Sequence, residues 1–312
     1  MEFGPLNIQI NDSIYIRAAG PDDQQDIERL CVTVSGGEDY LIHLLPTLLK
    51  LHNFFPLVAS DGDKEIIGFS STLVLEKYGW VMGVRIHPLW RNKKIAQGLI
   101  KKCLDINSSL NLPTKAAIFE SNKTAIHLFS GLGFYLQRGL SLATTETQNI
   151  IGELFSTSDY KNATQAAPEE EETIYTLLQS GGPPHLYADN FIWRPTDSRK
   201  EIRDLLASNR ILITKNNQGK IDGLSIINNN PLPSSYSKTT EIGRSYGNPR
   251  PFLKHIVIFH EPKRIRWYLY NDEDERIAKE LNFKVPKINN NYLGGVHELR
   301  YVVASRGRQP KE

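Results

Sequence analysis

Apolar residues recur along the first half of the chain with two alternating periods. Residues 13–18 alternate apolar and polar, the spacing of a half-buried strand. Pro21-Asp22-Asp23 then opens a helix whose face carries Ile27, Leu30, Cys31 and Val34, and Gly36-Gly37 stops it. Residues 41–51 read as a second helix, and 57–59 and 65–75 as strands joined through Asp61-Gly62-Asp63. A strand over 80–86 ends in His87-Pro88. A basic run follows it, and behind that run an amphipathic helix places Ile95, Leu99, Cys103, Ile106 and Leu110 on one side. Residues 115–119 read as a strand and 122–131 as a helix closed by Leu132-Gly133-Phe134.

From about Thr144 the pattern degrades. Residues 156–172, polar and then acidic, predict an inter-domain linker whose glutamates form a solvated face or a helix start. Beyond them the first pattern returns. Leu57 precedes Gly68 by 11 residues across a turn, and Leu212 precedes Gly223 by 11. Asn122 precedes Phe134 by 12 in the frame Asn…Leu-Gly-Phe, and Asn271 precedes Phe283 by 12 in the frame Asn…Leu-Asn-Phe. Shared order and spacing predict a duplicated architecture, with domains over residues 1–150 and 151–312.

Composition narrows the function. The 312 residues carry 37 Lys+Arg against 35 Asp+Glu, a net charge of +2, too balanced for a protein that coats nucleic acid or an acidic membrane. The two cysteines, Cys31 and Cys103, lie in apolar periodic segments and predict buried free thiols in a reducing compartment. No apolar run reaches the ~18 residues of a membrane helix. Residues 1–12 lack the basic start and apolar core of a signal peptide, so a cytoplasmic location is expected. The eight histidines make no metal-binding motif, and His255 and His260, five apart, are expected on different helix faces. Arg264-Ile265-Arg266-Trp267-Tyr268 is read as a half-buried strand and not as a nucleic-acid surface.

Chemistry concentrates where the strand over 80–86 feeds a helix. A helix start offers unpaired N–H groups and the positive end of a dipole to phosphate oxygens, and Arg91, Lys93 and Lys94 add cations there. The run Arg91-Asn92-Lys93-Lys94-Ile95-Ala96 resembles the pyrophosphate loop of the GNAT acetyltransferase superfamily, Arg/Gln-x-x-Gly-x-Gly/Ala, with Lys94 in place of the first glycine. Asn122, Ala125 and Gly133-Phe134 match a second feature of that family. The resemblance implies an α/β fold with a mixed sheet of the α+β kind, in tandem GNAT-like domains, the second of them degenerate. Gly83-Val84-Arg85-Ile86, Phe191-Ile192-Trp193-Arg194-Pro195 and Tyr246-Gly247 are most like the histidine N-acetyltransferase-like members.

What this resemblance implies is acetyl transfer from acetyl-CoA, as co-substrate and with no metal, to the amino group of a small molecule such as the α-amino group of free histidine. Val84, Arg85 and Ile86 would line the pantetheine and thioester, and Asn122 the coenzyme arm. Glu38, Asp39 and Tyr40 stand in the family's variable acceptor-binding segment and are the candidates for acceptor chemistry. Two positions depart from the pattern: Phe129 replaces the tyrosine that often protonates the leaving thiolate, and Met82 stands where a glutamate base is often found. Those departures, with Lys94 in the loop, favour the alternative of a silent acyl-CoA-binding or interaction protein. A protein N-terminal or lysine acetyltransferase is the other alternative. Glu76, Tyr78 and Glu120 are read as surface residues at strand ends. The second half has no basic loop, and Pro249 and Pro251 have no N–H to give a phosphate.

Overall fold

The computed structural model describes residues 8–11, 13–36, 39–62, 65–156, 162–180, 186–189, 192–228, 238–270, 272–285 and 299–306. The chain divides into two compact units, one of Met1–Ala117, Thr124–Leu136 and Ala304–Glu312, the other of Ile118–Lys123 and Gln137–Val303. The chain thus passes between the units at 117/118, 123/124, 136/137 and 303/304.

The first unit is built from β1 (Ile8–Asn11), β2 (Ile14–Ala18), α1 (Gln24–Ser35), α2 (Tyr40–Leu48), β3 (Phe54–Ser60), β4 (Ile66–Val74), β5 (Gly79–Ile86), α3 (Ile95–Ser109), β6 (Thr114–Phe119) and α4 (Lys123–Gly131). Its sheet runs in chain order from β1 to β6, antiparallel throughout except for the parallel pair β5–β6. The apolar face of α3 buries Ile95, Leu99, Ile100, Cys103, Leu104 and Ile106, each large aliphatic side chain contributing ~1.5–3 kcal/mol by leaving water. Leu110, placed on that face by its spacing, instead caps the helix.

One polar residue shares the buried face. The Asn107 side chain accepts from Thr72 Oγ1 at 3.0 Å and donates to Thr114 Oγ1 at 3.0 Å, joining α3 to β4 and β6. Gly79, at the start of β5, packs so closely on it that a Cβ would lie 2.0 Å from Asn107 Oδ1. Here the β5–β6 ladder is made: Gly79 pairs with Thr114 and Trp80 with Lys115, and the pairing then stops.

The second unit begins with β7 (Tyr135–Glu146), which follows α4 in the chain and pairs antiparallel with a strand far downstream. Then come α5 (Ile151–Phe155), β8 (Thr164–Gln165), α6 (Glu171–Ser180), β9 (Leu186–Asp189), β10 (Ile192–Pro195), α7 (Arg199–Ala207), β11 (Ile211–Lys215), β12 (Ile221–Asn228), β13 (Thr239–Tyr246), α8 (Arg250–His260), β14 (Arg264–Leu269), α9 (Asp272–Glu280) and β15 (Leu299–Arg306), whose residues from Ala304 on belong to the first unit. The order β7-β14-β13-β12-β11-β8 again contains one parallel pair, β13–β14; β9 and β10 form a separate hairpin. The expected linker is in part an element of this unit. Thr164 and Gln165 pair with Ile213 and Leu212, Glu170 binds Lys215 at 2.6 Å, and Glu171 and Glu172 open α6 against Arg203 and Arg199. A short edge strand has no apolar pattern to betray it, because its side chains remain in water.

The repeat read from the sequence is a repeat of register. Leu57 pairs with Ser70 and Ala59 with Gly68 before a shift at Ser60; Leu212 pairs with Ser225 and Thr214 with Gly223 before a shift at Lys215. The helix ends repeat as well. Gly133 and Asn282 both take the left-handed backbone, at φ 82° and 59°, and Phe134 and Phe283 each donate N–H five residues back, to Phe129 and Ala278. The strand over 264–269 departs from simple alternation, since Arg266 is buried. Glu241, itself buried, accepts from its guanidinium at 3.0 Å, and a charge is tolerated inside when it is paired.

A methyl group at position 79 has no room, so Gly79→Ala should lower stability by ~2–4 kcal/mol, measured by urea unfolding.

Candidate functional site

β5 carries the site because it is irregular. Phe69 pairs with Arg85 and Ser71 with Met82, so Gly83 and Val84 together oppose the single residue Ser70 and fall outside the β4 register. The bulge needs glycine twice over: Gly83 has φ 71°, and a Cβ would lie 2.9 Å from the Phe69 ring and 3.3 Å from Leu41. On the other side the β6 ladder has already ended. The bulge thus lies outside the regular register of both neighbours, the kind of irregularity that re-aims a strand.

Arg85 follows the bulge and makes the strongest polar contact near it. Its Nε and Nη2 donate to the two Asp39 oxygens at 2.5 and 2.8 Å, while Nη1 donates to the Val84 carbonyl at 3.1 Å. Asp39 is the N-cap of α2: its Oδ1 accepts from Leu41 N at 3.0 Å, and Ser35 donates to Oδ2 at 3.3 Å. The Asp39 side chain is 1% exposed and that of Arg85 19%. Burial works to raise the Asp39 carboxyl, but the bonds and charge of Arg85 outweigh it and hold the group below its usual range. Burial likewise opposes the Arg85 charge, and Asp39 reverses the balance, raising its pKa further. Tyr40 lies with its ring 5.6 Å from the guanidinium carbon, and burial pushes its phenol up. Burial, with the Asp39 charge behind it, pushes the nearby Cys31 thiol up to about 12, so it is no nucleophile at neutral pH.

After β5, His87 caps a single turn through Leu89 N, and the loop descends to α3. Arg91, Asn92, Lys93 and Lys94 are all exposed, and Ile95 is buried beneath them. Lys93 Nζ rests 4.2 Å from the Trp90 ring centroid. Asn92 and Lys94 have φ 64° and 60°, and Lys94 is the N-cap of α3 without a side-chain cap bond. The position where the loop pattern has glycine is therefore left-handed here too, with a lysine bearing the strain. Ala96 stands in the first turn of α3, where N–H groups have no partner within the helix.

The other expected residues scatter. Asn122 immediately precedes α4, its N–H donating to Phe119 O at 2.8 Å, and it belongs to the second unit. Glu38 lies outside the described residues. Phe129 is buried edge-on against Phe134, with ring centroids 4.9 Å apart, and Met82 is buried in β5. Tyr78, expected at the surface, is buried, with Lys115 Nζ 4.6 Å from its ring; it closes the turn into β5, where an aromatic body is worth more inside. Glu76 is exposed and Glu120 half-buried. His255 and His260 do meet, with ring centroids 5.8 Å apart, as the last residue of α8 folds back. No cluster of His, Cys, Asp and Glu among the described residues could hold a metal, and no described helix is long and apolar enough to cross a membrane.

In the second unit the corresponding pair of strands runs further together. β13 and β14 stay paired from Thr239–Arg264 to Ile242–Trp267. The irregularity in β13 falls at Gly243, whose carbonyl accepts from the Tyr270 hydroxyl at 2.6 Å. Arg244 lies 4.9 Å from the Tyr270 ring. Pro249 caps α8. Asn271 lies outside the described residues.

Residues 23–134 match the Acetyltransferase (GNAT) family. Among solved structures, a GCN5-related N-acetyltransferase of Sphaerobacter thermophilus superposes with a TM-score of 0.63 at 13% identity, covering 96% of each chain. A tandem GNAT protein of the clavulanic acid biosynthesis pathway gives 0.60 at 10% identity over 96% of this chain and 100% of its own. A glucosamine N-acetyltransferase region in a fungal multi-domain GH3 beta-N-acetylglucosaminidase gives 0.64 at 12% identity over 94% of this chain and 38% of the other. The chain has the mixed α/β fold of these proteins, one of which is a tandem GNAT protein. No curated protein sequence matches it.

Two measurements test the site's construction. Asp39→Asn should lower stability by ~2–4 kcal/mol by leaving Arg85 without its counter-charge. Because folding depresses the Asp39 pKa, the gap from wild type is fully present above the unfolded carboxyl value of ~3.9 and narrows as pH falls through and below it. Denaturant titrations across that range measure it. Lys94→Gly should hold or raise the melting temperature, gaining up to ~1 kcal/mol by relieving the left-handed lysine, and Lys94→Ala should gain nothing.

Proposed function

We propose that the protein, an N-acetyltransferase of the GNAT type through residues 23–134, moves acetyl from acetyl-CoA to the amino group of a small molecule, with the α-amino group of a free amino acid such as histidine as the acceptor. The observation that carries the reading is the departure of β5 from both neighbours at a glycine bulge, directly before a basic loop on a helix N-terminus.

Each part has a task in that reaction. Arg91, Asn92, Lys93, Lys94, Ile95 and Ala96 would hold the pyrophosphate through cations and first-turn N–H groups. Val84, Arg85 and Ile86 would offer backbone to the pantetheine and thioester, and Asn122 would touch the coenzyme arm. The acceptor nitrogen forms its bond to the thioester carbon while the carbonyl oxygen takes up negative charge. The carbon–sulfur bond then breaks, and the proton lost by the nitrogen balances the one gained by the thiolate. Amides in the bulge are suited to the oxyanion, and holding the reactants together supplies much of the rate. Phe129, packed on Phe134, has no proton to give, so water protonates the thiolate and turnover is slow.

The second unit lacks a coenzyme site, a reading supported by the Tyr270–Gly243 contact and by Pro249 at the start of α8. The same Phe129 packing favours a second reading, a binder of acyl-CoA without turnover.

Calorimetry of the whole chain with coenzyme A should show binding that weakens as salt is raised, since phosphate–cation contacts are screened. Arg91→Ala should cost about tenfold in affinity, the equivalent of roughly 1.4 kcal/mol. Mass spectrometry of the chain with acetyl-CoA and each of the twenty free amino acids identifies the acceptor. Coenzyme binding without any acetylated product would establish the silent binder; no binding at millimolar coenzyme would end both readings.

A further inference from the structure

The bulge in β5 lacks the support that a sheet gives its backbone. Gly83 and Val84 are outside the β4 register, and the β6 ladder ends at Trp80. A peptide plane there stands outside the regular ladder that fixes its neighbours, and its carbonyl oxygen could turn toward the place where the thioester oxygen becomes negative. Two like-charged oxygens would then repel, whereas the reaction needs N–H donors aimed at that point. One side chain prevents the turn. Arg85 Nη1 donates to Val84 O at 3.1 Å, while its Nε and Nη2 are engaged by Asp39 at 2.5 and 2.8 Å. Asp39 in turn is fixed by Leu41 N at the start of α2 and by Ser35 Oγ at the end of α1, and Leu41 packs over Gly83. The chain of contacts runs from the α2 cap through a carboxylate and a guanidinium to one carbonyl of the bulge.

We propose that Arg85, locked by Asp39, is a positioning residue for acetyl transfer: it holds the Val84 carbonyl away from the thioester oxygen, so that the bulge presents amide donors alone. The inference rests on the acetyl-transfer reading of this site and adds to it a role for a side chain that need not touch either substrate. A bidentate, fully ordered guanidinium is suited to this, because Nε and Nη2 fix its plane and Nη1 is then aimed. Lysine, a single point donor, satisfies Asp39 or Val84 O but not both.

Steady-state kinetics on the full chain, with acetyl-CoA and the acceptor found above, separates positioning from binding and from folding. Arg85→Lys and Asp39→Asn should each lower kcat at least tenfold, with the Kd for coenzyme A within about twofold of wild type, a transition-state loss without a ground-state one. The double variant Asp39→Asn/Arg85→Gln leaves no buried charge unpartnered and carries the test where a single variant melts; it should be no slower than the slower single variant, the mark of residues acting as one unit. An unchanged kcat in a folded variant overturns the positioning role and leaves the acetyl-transfer reading standing. A fall in kcat that tracks lost coenzyme affinity or lost folded protein overturns it too, by assigning the pair to binding or stability. A wild-type chain that neither binds coenzyme A nor acetylates any acceptor defeats both proposals together.

Discussion

Two parallel strands held together at one end only are the constraint on which the first unit turns. The buried amide of Asn107 stands at that end, bonded to Thr72 and Thr114 and pressed against Gly79. It satisfies polar atoms on β4 and β6 where the two-pair ladder is made, and α3 delivers it there with the same turns that bury Leu99, Cys103 and Ile106. An amide inside an apolar face is costly unless every bond is met, and met networks specify one geometry. Fixing the strands here lets the ladder end after two pairs without loosening the core.

The opposite end of β5 is governed by charge. Asp39 and Arg85 are both largely withdrawn from water, a state that disfavours either ion alone and is offset by their fork of hydrogen bonds and by the cap and hydroxyl on the carboxylate. The second unit resolves the same frame differently. Its parallel pair stays zipped for longer, and Tyr270 occupies the carbonyl at the irregularity of β13. Identical hairpin registers thus end in one half with strands that separate and in the other with strands sealed by an aromatic side chain.

The sequence shows the elements of the first unit through their periods, and it shows the duplication because turn length and register are local: eleven residues from Leu57 to Gly68 and from Leu212 to Gly223 permit the same pairing. The loop into α3 is legible for the same reason, since its cations and helix start are contiguous. The Asp39–Arg85 pair spans 46 residues with nothing between to mark it. Asn107 escapes because periodicity counts an amide as outward-facing. Gly83 did leave a signal, an isolated glycine within a strand, which points to a bulge. The edge strand at Thr164–Gln165 left none, being short and wet.

The course of β7 carries a consequence for the protein's history. Tyr135–Glu146 follows α4, yet from Gln137 it belongs to the second unit, where it pairs with β14 from Ser141 to Glu146. Neither unit is an uninterrupted stretch of polypeptide, because Ile118–Lys123 belongs to the second and Ala304–Glu312 to the first. Two units interleaved along the chain in this way cannot be parted at one point: a recombination breakpoint at 136/137 would carry off with each half a segment that belongs to the other. Once established, such interleaving commits the two units to inheritance as one piece.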